Sequence, residues 1–338
     1  MAAGWPLGAW IAAFRTRRQM RDRNQIGIRV LFDMYWLALR HSIPPLEYAL
    51  YRFNDPLSRN EMHQFVYWND LPGLAALNAR RCADNADVQD KNRFAAICRA
   101  HGFPHVETLA VFDRKKQLYP ATPFIPARQR LWVKSLKLKG GAGGAKWTKD
   151  VSFYRSAEDE LLPVAELVER LREQDCIVQP FIENHPVIQQ VSNGALASLR
   201  IVTGLNEAQQ SERVTSQLIL PHGSRQTSVA GIICSVASDS GRIERAALPD
   251  GTPVTHHPDT NMPIAGIEIP FWHESVELVV RAHAMAFAKF VFLGWDVALT
   301  KEGPLLLETN SGWGAIFHQM LDGPLGYTPF SRIVAQHV

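Results

Sequence analysis

A chain of 338 residues, 46% hydrophobic and 20% charged, has the composition of a globular protein and the length for two or three units with substantial cores. Its formal net charge is only +3, so no overall field makes nucleic acid the default partner. The cysteines Cys82, Cys98, Cys176 and Cys234 form no CxxC pair, which argues against a disulfide framework or zinc site and for reduced thiols in a cytoplasm.

The chain opens with MAAGWPLGAWIAAF, an apolar run followed by Arg15, Arg17, Arg18, Arg21 and Arg23. A signal peptide carries its positive charge before the apolar segment, and this run is too short to span a bilayer, so no transmembrane helix is expected. The preferred reading is a helix docked on its own domain or a frayed end; contact with an anionic membrane surface comes second. Residues 24–85 mix aromatic and Leu-rich helical patterns with Pro44, Pro45, Pro56 and Pro72 as breaks, which predicts short helices and a helical N-terminal region over 1–87. DVQDKNRFAAICRAHGFP then predicts one compact helix, with Asp90 as its cap, Phe94, Ile97 and Cys98 on one face, and Gly102 and Pro104 as stops.

VETLAVF and LWVKSLKL read as strands, the second running into KGGAGGAK. A helix is expected over AEDELLPVAELVERLREQ, a strand over CIVQPFI, and an antiparallel meander over SLRIVTGL, VTSQLIL and VAGIICSV. Residues 239–270 are rich in Gly, Pro, Asp and Thr and read as loop with a short hairpin around Gly241. A helix from Ser275 to Phe290 carries Val276, Val279, Val280, His283 and Phe287 at helical spacing and delivers the chain to GWDVALTKEGPLLLETN.

That last stretch has a register that can be derived by hand. If Lys301, Glu302 and Gly303 form a three-residue turn, Thr300 pairs with Pro304 and Asp296 falls opposite Glu308. Alternation then places Trp295, Val297 and Leu299 on one face with Leu305, Leu307 and Thr309, while Asp296, Glu308 and Asn310 point the other way. Like charges about 5 Å apart at Cβ are unfavourable unless a cation or a shared proton lies between them. Magnesium suits two carboxylates and an amide, because it takes hard oxygens and keeps positions for water and phosphate; a general acid and base pair is the other reading.

Four glycines in the five positions from Gly140 to Gly144 bring backbone N–H groups within reach of phosphate oxygens, although a hairpin tip would look the same. The segment fits neither GxxxxGK[ST] nor GxGxxG. Lys134 lies mid-strand between apolar neighbours and needs an anionic partner if its side is covered. Arg200 is likewise a guanidinium within an apolar strand, suited to an ion pair or to phosphate. His256, His257, His101 and His105 lack the spacing of a zinc site, and no GxSxG elbow or cysteine-centred signature supports a nucleophilic hydrolase.

Together these residues resemble the ATP-grasp superfamily from about Asp90 to Gly314. QPFIENHPVIQQVSNGALASLRIVTG, VAGIICSV and GWDVALTKEGPLLLETNSGWG are similar to its sugar-transfer-associated group, related in pattern to glutamate-ligase-like proteins. The resemblance implies an α+β fold in which two subdomains, 88–182 with the glycine-rich flap and 183–338 with the metal site, clasp ATP. It implies phosphate contacts from Lys91, Lys134 and Arg200, and from the flap glycines Gly140, Gly141, Gly143 and Gly144. The adenine hinge falls on Gln179, Pro180, Phe181 and Ile182, with Glu183 at the ribose, and Mg²⁺ on Asp296, Glu308 and Asn310. Two positions depart from the pattern, Gln179 where the family often has an acid and Trp295 where some ligases carry Arg. The implied reaction joins a small-molecule carboxylate to an amine through an acyl phosphate, with Arg200 and Lys134 stabilising transfer and Ser311 to Gly314 holding the acceptor. The alternatives are a kinase acting on a hydroxyl and a nucleotide-binding scaffold without chemistry.

Overall fold

The computed structural model describes residues 5–19, 27–82, 84–136, 144–224, 227–228 and 230–338. The chain begins with short helices, as its proline spacing predicts: α1 (Trp5–Gln19), α2 (Ile28–His41), α3 (Pro45–Leu50), α4 (Pro56–Asn60), α5 (Leu71–Arg81), α6 (Ala86–Gln89) and α7 (Lys91–Ala100). Prolines occupy the first turns of α3, α4 and α5, where a missing N–H breaks no bond within the helix. Ala9, Ala13 and Thr16 of α1 are buried against this helical region, so the N-terminal apolar run docks on its own chain. Leu31, Met34, Leu37, Tyr48 and Phe53 form a core that these helices share with Ile233, Ala247, Ile316 and Met320. The Asp90 carboxylate caps α7 by accepting the N–H groups of Asn92 and Arg93 at 2.8 and 3.1 Å, which sets Lys91 in the first turn.

Strands β1 (Ala110–Asp113), β2 (Lys116–Tyr119), β3 (Arg130–Ser135), β4 (Ala145–Asp150), β5 (Phe153–Ser156) and β6 (Leu161–Pro163) lead to α8 (Val164–Arg172) and β7 (Cys176–Pro180). They form one antiparallel sheet in the order β2-β1-β7-β3-β4-β5-β6. The helix expected over 157–174 starts only at Val164. Residues 161–163 instead pair with β5 and bury Leu162, and Pro163 then stands at the helix N-cap. Leu131, Val133, Trp147 and Val178 pack against Leu167 and Leu171 of α8.

After α9 (Pro186–Gln189) come β8 (Ser198–Leu205), β9 (Ser211–Leu220), β10 (Ile232–Val236) and β11 (Ile243–Ala247), then α10 (Trp272–Ala286), β12 (Phe292–Thr300), β13 (Gly303–Asn310), α11 (Ala315–Asp322) and α12 (Pro329–His337). The second sheet runs β11-β10-β9-β8-β12-β13. Leu199, Ile201, Trp295 and Val297 pack on one face against α10, in a core that also takes Phe94 and Cys98 of α7. By packing, α7 goes with this second sheet although it precedes the first in the chain, because its apolar face meets Phe287 and the second sheet. Residues 104–106 run along the β13 edge, where Val106 N–H donates to the Leu306 carbonyl at 3.1 Å, before the chain enters β1. This segment ties the edge of the second sheet to the chain that enters the first.

Candidate active site

Strand pairing alone lines up three charged side chains. Arg200 on β8 lies opposite Asp296 on β12, and Asp296 lies opposite Glu308 on β13. The hairpin reaches that pairing by a different route from the one expected. Thr300 pairs with Gly303 across a two-residue turn at Lys301 and Glu302, and a bulge between Asp296 and Val297 then restores the Asp296 to Glu308 match. The extra residue turns Leu307 toward the acids, and Leu306, not Leu307, joins Trp295 and Val297 in the core.

The Arg200 guanidinium holds Asp296 bidentately, Nε to Oδ1 at 2.8 Å and Nη2 to Oδ2 at 2.7 Å, and the Ser198 hydroxyl adds a third donor at 3.2 Å. The charge facing Asp296 in this structure is therefore a guanidinium as well as the second carboxylate. Lys134 of β3 reaches the same cleft from the other sheet. Burial pushes its ammonium down to about 8; Glu308 opposes that shift, Lys91 adds to it, and Asp296 opposes it. Lys91, Lys134, Arg200, Asp296 and Glu308 all line this cleft of about 950 Å³, open mouth included.

Its other end is apolar. Gln179, Pro180, Phe181 and Ile182, at the end of β7 and just beyond it, line it together with Trp132, Val106, Leu196 and Leu307. Gln179, at the position where the family often has an acid, is buried on β7 opposite Trp132. Glu183 is not among the lining residues. The Arg130 guanidinium binds its carboxylate at 2.8 Å and holds it below the usual carboxylate range, and that same guanidinium lies over the Phe181 ring. Gly140, Gly141 and Gly143 lie outside the described residues, and Gly144 immediately precedes β4.

Asn310 falls in an adjoining cavity that shares Lys91, Arg200, Ser228 and Glu308 with the cleft, and its amide lies 3.4 Å from the Glu308 carboxylate. Ser311 to Gly314 line this second space, with Gln89, Gln217, Ile219 and Phe317. The loop is pinned at Gly294, where an added Cβ would come within 2.4 Å of the Trp313 Cβ. The Gln217 side-chain oxygen is buried without a hydrogen-bond partner. Trp132 and Ser198 could have been found by counting two residues from Lys134 and Arg200 along their strands; Leu307, Ser228 and Gln217 carry no such signal.

Among the described residues no group of three or more His, Cys, Asp and Glu side chains is placed to hold a metal ion. The oxygen set at and beside the charged end of the cleft, the Asp296 and Glu308 carboxylates and the Asn310 amide, is a donor set for a hard cation such as Mg²⁺. The sugar-transfer associated ATP-grasp family matches residues 75–328, well over half of the chain. The chain belongs to this family. Its two sheets with their helices are the two α+β subdomains of the ATP-grasp fold. Among solved structures, the ATP-grasp ligase PsnB, complexed with a minimal precursor variant, Mg and ADP, is 17% identical, with a TM-score of 0.40, over 75% of this chain and 59% of that one. An L-amino acid ligase from Bacillus licheniformis is 13% identical, with a TM-score of 0.38, over 72% of this chain and 48% of its own. The D-alanine–D-alanine ligase from Bacillus anthracis complexed with ATP is 12% identical, with a TM-score of 0.37, over 74% and 67%. The chain spans less than two thirds of the length of PsnB. No curated protein matches.

Proposed function

We propose that the chain is an ATP-dependent ligase that activates a carboxylate as an acyl phosphate and couples it to an amine. The observation that carries this reading is the convergence of Lys91, Lys134 and Arg200 on the paired acids Asp296 and Glu308, beside an apolar slot and a second cavity. In this reading the slot at Trp132, Gln179 and Ile182 takes adenine, with strand-end backbone groups reading its edge. The three cations take the phosphates and neutralise charge that develops on the transferring group. Asp296, Glu308 and Asn310 would hold magnesium, which when bound neutralises charge on the β- and γ-phosphates.

The second cavity takes the carboxylate and amine. There the carboxylate oxygen attacks the γ-phosphorus and ADP leaves; the amine nitrogen then attacks the acyl carbon, inorganic phosphate departs, and the ammonium proton is lost. Lys91 and Arg200 line both spaces, so the same cations meet the phosphate before and after transfer. Gln217 lines this cavity, and its side-chain amide is the proposed contact for the incoming amine. The glycines from Gly140 to Gly144 are proposed to shield the acyl phosphate from water.

The test follows oxygen. With Mg-ATP, a panel of ¹⁸O-labelled carboxylates and an amine, one label should pass from the carboxylate into the released phosphate. A stable phosphate ester with no released phosphate would replace this reading with hydroxyl phosphorylation, and binding without turnover would leave a scaffold.

A further inference from the structure

The inner faces of α1 and α2 are buried on the chain's own core, but their outer faces are also apolar. On α2, Ile28, Phe32, Trp36 and Leu39 recur at intervals of four, four and three, which puts them on one stripe of the helix. Ile28, Phe32 and Trp36 are 62%, 57% and 58% exposed. On α1, Phe14 is 53% exposed and Ile11 is exposed beside it. The two stripes are continuous, because the Trp10 ring of α1 packs at 5.6 Å from Phe32 and at 5.2 Å from Tyr35. A single exposed Phe or Leu needs no explanation; a stripe of this length with Trp and Phe at its centre does.

Charge says what covers it. Residues 1–41 hold seven arginines against two aspartates, whereas the whole chain has a net charge of only +3. Arg15, Arg29 and Arg40 are exposed beside the stripe. Of the two aspartates, Asp33 is already neutralised by Arg59 and by the Tyr48 hydroxyl at 2.6 Å, so it offers a basic partner little. A second copy of the chain would bring these arginines against their own equivalents across a twofold axis, which disfavours a dimer on this face. An apolar aromatic stripe bordered by arginines matches a bilayer surface carrying anionic headgroups, with the rings at the acyl boundary and the guanidiniums among the phosphates.

We propose that the outer face of α1 and α2 docks the protein on anionic membranes, lying in the interface without crossing it. Among the described residues no helix is long and apolar enough to cross a membrane. The inference is independent of the ligase reading, since neither helix supplies a residue to the cleft. The test is flotation of the full chain with phosphatidylcholine vesicles, alone or with about 30% phosphatidylglycerol. The expected result is binding at least about tenfold stronger to the anionic vesicles, weakening as salt rises. The double variant Phe32→Ser, Trp36→Ser should lose about tenfold or more of that binding while keeping its far-ultraviolet dichroism and its nucleotide binding. No flotation with anionic vesicles, equal flotation with neutral ones, or binding untouched by the double variant would overturn the proposal. So would a wild-type dimer in sedimentation that the double variant converts to monomer, because the occupant would then be a second copy.

Discussion

Lys134 stands on β3 between buried Leu131 and Val133 on one face and the cleft on the other, and its ammonium is held down to about 8 chiefly by burial. A polyanion entering the cleft favours the charged form, so nucleotide binding near pH 8 should take up about half a proton. Calorimetry in buffers of different ionisation enthalpy reads that uptake directly. Lys134→Met should abolish it and lower kcat/KM for ATP by about a hundredfold; uptake unchanged in the variant would assign the proton elsewhere. Gln217 yields a second prediction at this scale. Its buried oxygen lacks a partner, so Gln217→Leu should leave stability unchanged or raise it by about 1 kcal/mol, while KM for the amine rises. A purely structural glutamine would show the reverse, a lower melting temperature and an unaltered KM.

At the scale of elements, the β12–β13 hairpin explains both what was legible and what was not. Charges inside apolar strands stand out in the sequence, and a short turn makes their pairing local, which is why Asp296 could be set opposite Glu308 from spacing alone. The turn length and the bulge were not legible, because one error of a residue in the loop was offset by one extra residue in β13, and only packing against the core chooses Leu306 over Leu307. The approach of the 311–314 loop was equally hidden. Gly294→Ala would force a methyl onto Trp313, whose own Cβ cannot swing away, and should cost about 1–3 kcal/mol in denaturant unfolding. A loss below a few tenths of a kcal/mol would mean that the loop moves freely.

Across the whole molecule, buried titratable groups give the stability a pH dependence. His283 and His318 are fully buried, and burial lowers their pKa values to about 4 and about 3, well under the value of an exposed imidazole. The unfolded chain therefore binds protons below about pH 6.5 that the folded chain refuses, and stability falls as pH drops from there toward 4. Two such histidines make a loss of a few kcal/mol by pH 5. Thermal melts between pH 7 and 5 should show it, and His283→Gln should flatten the slope; an unchanged slope would remove His283 from the account.

Composition, caps and period-two alternation by themselves determined the short N-terminal helices, the Asp90 cap, the β8–β9–β10 meander and the identity of the charged strand residues. Each of these is set within a few residues of the chain. The tertiary structure alone decided that α7 packs with the second sheet, that Glu183 turns to Arg130 while Leu307 turns into the cleft, and that a second cavity opens beyond Arg200. It also decided that α1 and α2 bury one apolar face and leave another exposed. Those choices depend on which distant surface each side chain meets, and the free energy of burial and ion pairing between distant segments is not set by local spacing.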